Sequence, residues 1–353
     1  MPTLQRLLRG RILYGLLGGF IAVLYGAVFR HGTFLIHHES SAALAVERTM
    51  EWWPNEVNAS AVRQLVSRQP LLAIAMSLLM VVLIAMTLWG IGLTFWGLWS
   101  GRIRSVWTFA SQPLPQWSFG ELGRITLLIV MFASLLLLFH TVSASAPWGR
   151  GLDLHRWITI SMFLLDGWMA LVILLFAAGK GRSMWRTFGL SHPAVLPSIT
   201  VGLRSYLAVF PWLFLVLFAV VEWARVLGIQ PPTEPIQELL FEEHRPEVLG
   251  LTFLLACVVG PIAEELFFRG VLYTAIRRRM SRGIAQWISA ALFALIHMNL
   301  VGFLPIALLG YVLANLYERT GSLASSLAVH MLHNTLLMAL AMVFKGVVSL
   351  TSG

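Results

Sequence analysis

The stretch from Pro261 to Gly270 reads P-I-A-E-E-L-F-F-R-G and sets two carboxylates and a guanidinium inside an otherwise apolar run. An ionised side chain near a bilayer centre costs at least roughly 2.5 to 3.5 kcal/mol on insertion scales, so an intramembrane acid is a functional-site candidate by default. Glu265 and Arg269 are spaced i, i+4 and share a helix face, whereas Glu264 lies about 100° away around the axis. The spacing predicts a structural ion pair between Glu265 and Arg269 and leaves Glu264 for chemistry. The competing reading makes all three one structural charge cluster.

Two further apolar stretches carry polar side chains. His297 follows Phe293 by four residues, and His330 and Asn334 are again i, i+4, with His333 beside them. A lone His in an apolar helix is more often a packing residue than a catalytic one. Polar positions on three helices are harder to dismiss, because in lipid such groups need one another as partners and one shared cavity satisfies them all. The chemistry such a set suggests is water activation: Glu264 with His297 holds and deprotonates a water, while His330 and Asn334 donate hydrogen bonds to an oxyanion. The same residues also suit a divalent metal, with Glu264, His297 and His330 as ligands of zinc, although no H-E-x-x-H is present. The cofactor expectation is therefore none, or zinc. Ser325 and Ser326 give a nucleophilic mechanism weaker support, since neither sits in G-x-S-x-G.

The elements that must position these groups are membrane helices. Of 353 residues, 58% are hydrophobic and only 12% charged, and mean hydropathy is +0.78, which excludes the soluble globular class. The expected fold is all-α: a polytopic membrane protein of about eight to nine transmembrane helices around a polar cavity. Candidate spans are 12 to 29, 71 to 99, 123 to 146, 157 to 178, 204 to 224, 248 to 275, 284 to 300, 303 to 317 and 322 to 345. The net charge of +9 is scattered between apolar runs and forms no single face, so no nucleic-acid partner is expected. Lys and Arg are in excess on one side when the N-terminus is placed in the cytoplasm, which predicts an N-in, C-out chain. The run from Ile12 to Phe29, preceded by Arg6, Arg9 and Arg11, reads as a retained signal anchor, and the polar segment from 30 to 70 as holding a surface helix. The single cysteine, Cys257, excludes an internal disulfide framework and reads as packing.

E-E-L-F-F-R-G (Glu264 to Gly270), F-A-L-I-H (Phe293 to His297) and the segment from Glu318 ending in H-M-L-H-N at Asn334 resemble, in order, the three motifs of the CPBP family. These are intramembrane proteases related to the CAAX prenyl endopeptidase Rce1 and to bacterial bacteriocin-processing and self-immunity proteins. The resemblance covers about 245 to 345. It divides the chain into an N-terminal transmembrane region, 1 to 200, without an assigned family, and a CPBP-type protease region, 201 to 353. What it implies is cleavage of a peptide bond in a membrane-associated protein or peptide near the bilayer surface, in the cytoplasmic membrane of a prokaryote. By motif position, Glu264 becomes the water-activating base, His297 its partner, His330 and Asn334 the oxyanion stabilisers or metal-site residues, and Glu265 and Arg269 supporting groups. The resemblance leaves glutamate-type and metal-dependent mechanisms both open.

Three residues outside the motifs receive plainer readings. Asp166, an acid alone in the fourth span, is expected to make a helix–helix hydrogen bond, with a substrate or cavity role as the lesser alternative. His140 reads as interfacial, and the pair His37-His38 as solvated. Two non-peptidase readings compete: a non-catalytic immunity or scaffold protein on the same fold, and a transporter with a protonatable midplane site. No internal repeat favours the latter.

Overall fold

The computed structural model describes residues 14–22, 66–101, 114–145, 153–180, 183–191, 195–228 and 240–351. Nine helical segments follow the expected order: α1 (14–22), α2 (Pro70–Trp99), α3 (Phe119–Ser145), α4 (Leu154–Ala178), α5 (Val195–Val226), α6 (Pro246–Arg277), α7 (Arg282–Ile296), α8 (Phe303–Thr320) and α9 (Leu323–Thr351). Among the described residues there is no strand. The surface helix expected within 30 to 70 and the His37-His38 pair fall almost wholly outside the described residues, as does most of the N-terminal anchor.

The span count differs from the expected eight to nine. Six helices, α2 to α6 and α9, are long and apolar enough to cross a membrane, which makes the chain a multi-pass membrane protein. The expected seventh span, 284 to 300, ends at Ile296. At 1.5 Å per residue its 15 residues reach only about 22 Å, short of a bilayer's roughly 30 Å hydrocarbon core. The eighth carries Asn315, Glu318 and Arg319, and its last two turns are buried against the other helices.

Local sequence explains the helix ends. Proline opens α2 and α6 at the first turn, where its missing N–H costs nothing. The Asp153 carboxylate caps α4 by accepting from the Arg156 backbone N–H at 2.9 Å. Gly321 closes α8 with φ 67, the left-handed conformation that favours glycine.

The core sits around α6. Ile125 of α3, Val172, Ile173 and Phe176 of α4, and Phe188 pack with Phe268, Val271 and Tyr273 of α6 and Phe293 of α7. A second cluster joins Tyr206 and Phe210 of α5 to Leu313 of α8 and Val329 of α9. Apolar packing thus runs without a break across residue 200. The loop after α4 is tied to the turn before α9: the Leu323 N–H donates to Phe188 O at 3.0 Å, and the Ser322 hydroxyl donates to Gly189 O at 2.6 Å.

Candidate active site

The acid pair stands on an irregular part of α6. Leu255–Val259 and Leu266–Tyr273 are π-helical, with the short α-helical segment Gly260–Glu265 between them. Such i→i+5 turns are rare and recur at functional sites. Pro261 supplies a local cause. The Gly260 N–H bonds to Leu255 O, and the next donor in that register falls on Pro261, which has no N–H. Ala256 O would be left bare in a low-dielectric interior, and the Asn334 side-chain amide donates to it instead, at 2.9 Å. The site's asparagine is therefore fastened to the backbone of the helix that carries the glutamates.

Glu265 and Arg269 form the expected pair, with Arg269 Nη1 at 2.7 Å from Glu265 Oε1 and both side chains essentially inaccessible. Arg269 Nη2 also donates to Gly310 O at 3.3 Å, and its guanidinium lies 4.4 Å from the centroid of the Phe293 ring. His330 stands between the two glutamates. Its Nδ1 is 3.1 Å from Glu265 Oε1 and its Nε2 3.6 Å from Glu264 Oε2. A carboxylate can only accept, so Nδ1 carries the hydrogen and Nε2 is the atom turned toward Glu264. Glu264 differs from its neighbour: its side chain keeps 24% exposure, yet its Oε2 is buried and accepts no hydrogen bond.

His297 is positioned differently from the expectation of a mid-helix residue. It forms the C-cap of α7, its Nδ1–H donates to Phe293 O at 2.8 Å, and Met298 after it has φ 50, uncommon for a residue with a side chain. The bond to Phe293 leaves Nε2 as the acceptor in the neutral ring. The Phe293 ring packs against both histidines, with centroids 4.9 Å from His297 and 5.6 Å from His330. The fold thus brings Glu264, Glu265, Arg269 and His330 into direct contact, fastens Asn334 one turn further along α9, and sets His297 across Phe293. Among the described residues no group of three or more His, Cys, Asp or Glu side chains is arranged to hold a metal ion.

Of the other polar residues, His333 is second to the site, 2.9 Å from the Tyr206 hydroxyl. Ser325 and Ser326 are fully buried and bonded to the turn before them. Asp166 departs from the expected helix–helix hydrogen bond and makes none among the described residues. Its Oδ2 instead comes up to the same point as Glu264 Oε1, both within 4 Å of where a Cβ on Gly260 would stand. The one signal available in the sequence was an acid alone in an apolar span.

A helical membrane protein with a glutamate–imidazole site buried among its spans is the class these features define. Within it, residues 246–336 match the family model described as type II CAAX prenyl endopeptidase Rce1-like. The chain is also similar to a Bacillus subtilis (strain 168) protein named "Putative membrane peptidase YdiL", 29% identical over 110 residues. That alignment covers 31% of this chain and spans 44% of the relative. An Escherichia coli protein named "Uncharacterized 24.3 kDa protein" is 29% identical over 214 residues, 52% of this chain and 95% of the relative. No solved structure matches the chain significantly.

Proposed function

We propose that the chain is an intramembrane endopeptidase that hydrolyses a peptide bond of a membrane-associated protein or peptide by glutamate-activated water. The observation that carries the reading is Glu264 Oε2: buried, without a hydrogen bond, and 3.6 Å from an imidazole nitrogen, inside the family-matched segment. A buried acceptor with no partner is costly to keep unless a ligand or water supplies the donor.

In this mechanism a water bound between Glu264 and His297 Nε2 gives its proton to Glu264 as its oxygen attacks the scissile carbonyl carbon. The negative charge that develops on the carbonyl oxygen is met from α9 by the free N–H of the Asn334 amide and, when the ring carries both protons, by Nε2–H of His330. Glu264 then returns the proton to the departing amine. Glu265 and Arg269 take no part in bond making; they fix the ring of His330 through Nδ1. In this reading the chain lies in the cytoplasmic membrane with its N-terminus inside, which the excess of Lys and Arg on that side favours. The reading is tested with purified protein in lipid nanodiscs and membrane peptides as substrates: wild type cleaves, and Glu264→Gln falls by at least about 10²-fold, the low end for loss of acid–base catalysis. Equal cleavage by both proteins contradicts it and leaves the immunity or scaffold role.

A further inference from the structure

Asp166 is the one described acid with no basic partner. Every other described Asp or Glu lies within 4.0 Å of an Arg, Lys or His nitrogen: Glu265 with Arg269, Glu264 with His330, Glu318 with Arg277, Glu121 with Lys180, and those at the α4–α6 end and on α5 likewise. Asp166 sits at mid-length in α4, a span of mean hydropathy 2.2, where an unpaired carboxylate is most costly.

Its surroundings do not supply the missing charge. Glu264 and Glu265 lie against Arg269 and His330, whereas Asp166 comes up to Glu264 alone, so counted as ionised the three carboxylates exceed the two basic groups by one charge. The excess is directed at one point. Asp166 Oδ2 and Glu264 Oε1 lie 3.6 and 3.9 Å from the position of a Cβ on Gly260, with Leu255 O at 3.1 Å, so a residue without a side chain lets both carboxylates draw in to one point. An anionic gap between two helices, inside a membrane, calls for a cation from outside the chain.

We propose that Asp166 and Glu264 form an anionic subsite for an ammonium or guanidinium group of the substrate, a Lys or Arg side chain or a free amino terminus. The subsite rests on the peptidase reading and gives it a specificity. Apolar membrane segments are commonly flanked by Lys and Arg, whose long stems carry charge a short way into the bilayer. Asp166 lies outside the family-matched residues, so the preference is a property of the N-terminal region's packing on α6.

The test uses the full chain in nanodiscs and N-acetylated peptides with one apolar segment, identical except for Lys, Arg or norleucine beside it. Binding is read as Kd and needs no turnover. Wild type binds the Lys and Arg peptides at least about tenfold more tightly than the norleucine peptide, the size of one modest charge interaction. Asp166→Asn brings that ratio close to one, and Asp166→Glu retains it, which separates charge from a folding defect. A norleucine peptide with a free amino terminus shows whether a terminus serves as the cation. An unchanged ratio in Asp166→Asn, or no Lys or Arg preference in wild type, overturns the subsite. Cleavage of the same peptides, compared with Glu264→Gln, is scored separately: a charge preference without cleavage sinks the peptidase reading alone, and cleavage without a preference sinks the subsite alone.

Discussion

The Asn334 side-chain amide donates to the Ala256 carbonyl at 2.9 Å, replacing the backbone donor that Pro261 lacks. Removing it leaves a buried acceptor bare, a penalty of about 1–3 kcal/mol. Asn334→Ala therefore lowers the unfolding temperature of the detergent-solubilised protein. Pro261→Ala restores an N–H, so in that background Asn334→Ala costs measurably less. Additive losses in the double-mutant cycle would show that the two residues do not share the Ala256 carbonyl.

Glu265 and Arg269 are both fully buried and joined at 2.7 Å. Glu265→Gln leaves the guanidinium without its counter-charge and costs roughly 3–5 kcal/mol, the range for breaking one side of a buried pair. It also replaces the charged acceptor of His330 Nδ1–H with a neutral amide oxygen, so the ring is held more weakly and the residual folded protein loses activity. Thermal unfolding and peptide cleavage, measured on the same preparation, check both outcomes. Arg269→Lys does not rescue, because a point charge cannot reach Glu265 and Gly310 O together.

Gly189 has φ +65, and a Cβ there would stand 2.1 Å from Gly321 O. Gly189→Ala must push the post-α4 loop off the turn that starts α9, and adds backbone strain of about 1–3 kcal/mol. The expected result is a lower unfolding temperature with a matching loss of folded yield. A wild-type melting curve would contradict the contact.

At the other end of α4, outside the spans, the Arg245 guanidinium holds the Glu243 carboxyl far below the usual carboxylate range, and Asp153 below it as well. A carboxyl whose pKa is depressed on folding contributes stability that is present above its unfolded value, 4.5 for Glu243, and lost as pH falls toward the folded one. Stability should therefore hold from neutral pH to about 5 and decline below 4.5. In Arg245→Ala the neutral-pH stability drops and the acid decline shrinks. Melting temperatures across pH 3 to 7 read both curves.

Local features of this protein were legible in its sequence. The Glu265–Arg269 pair needs only i, i+4 geometry on one helix, and the apolar runs give the order of the helical segments, although α5 starts at Val195 and not at the expected 204. What the sequence hid depends on packing between segments. No periodicity announces that α7 stops at Ile296 and leaves His297 as its cap, or that the last turns of α8 are buried among other helices. The π-turns flanking Gly260–Glu265 required knowing that Asn334 would satisfy Ala256. Asp166 has no local partner of any kind, and only the packing of α4 on α6 brings it to Glu264.

A metal-free reaction has its own consequence. Cleavage by protein washed with EDTA or 1,10-phenanthroline should equal that of untreated protein, with no stoichiometric zinc by elemental analysis. Loss on chelation, restored by zinc, would place Glu264, His297 and His330 in a ligand set that forms with the ion.

The most direct test of the central claim is to profile peptide termini by mass spectrometry in native membranes carrying either wild-type protein or Glu264→Gln at equal, folded levels. The account predicts a set of new termini present with wild type and missing with the variant, which identifies the cleaved protein as well as the activity. Identical profiles would contradict peptide-bond hydrolysis at Glu264.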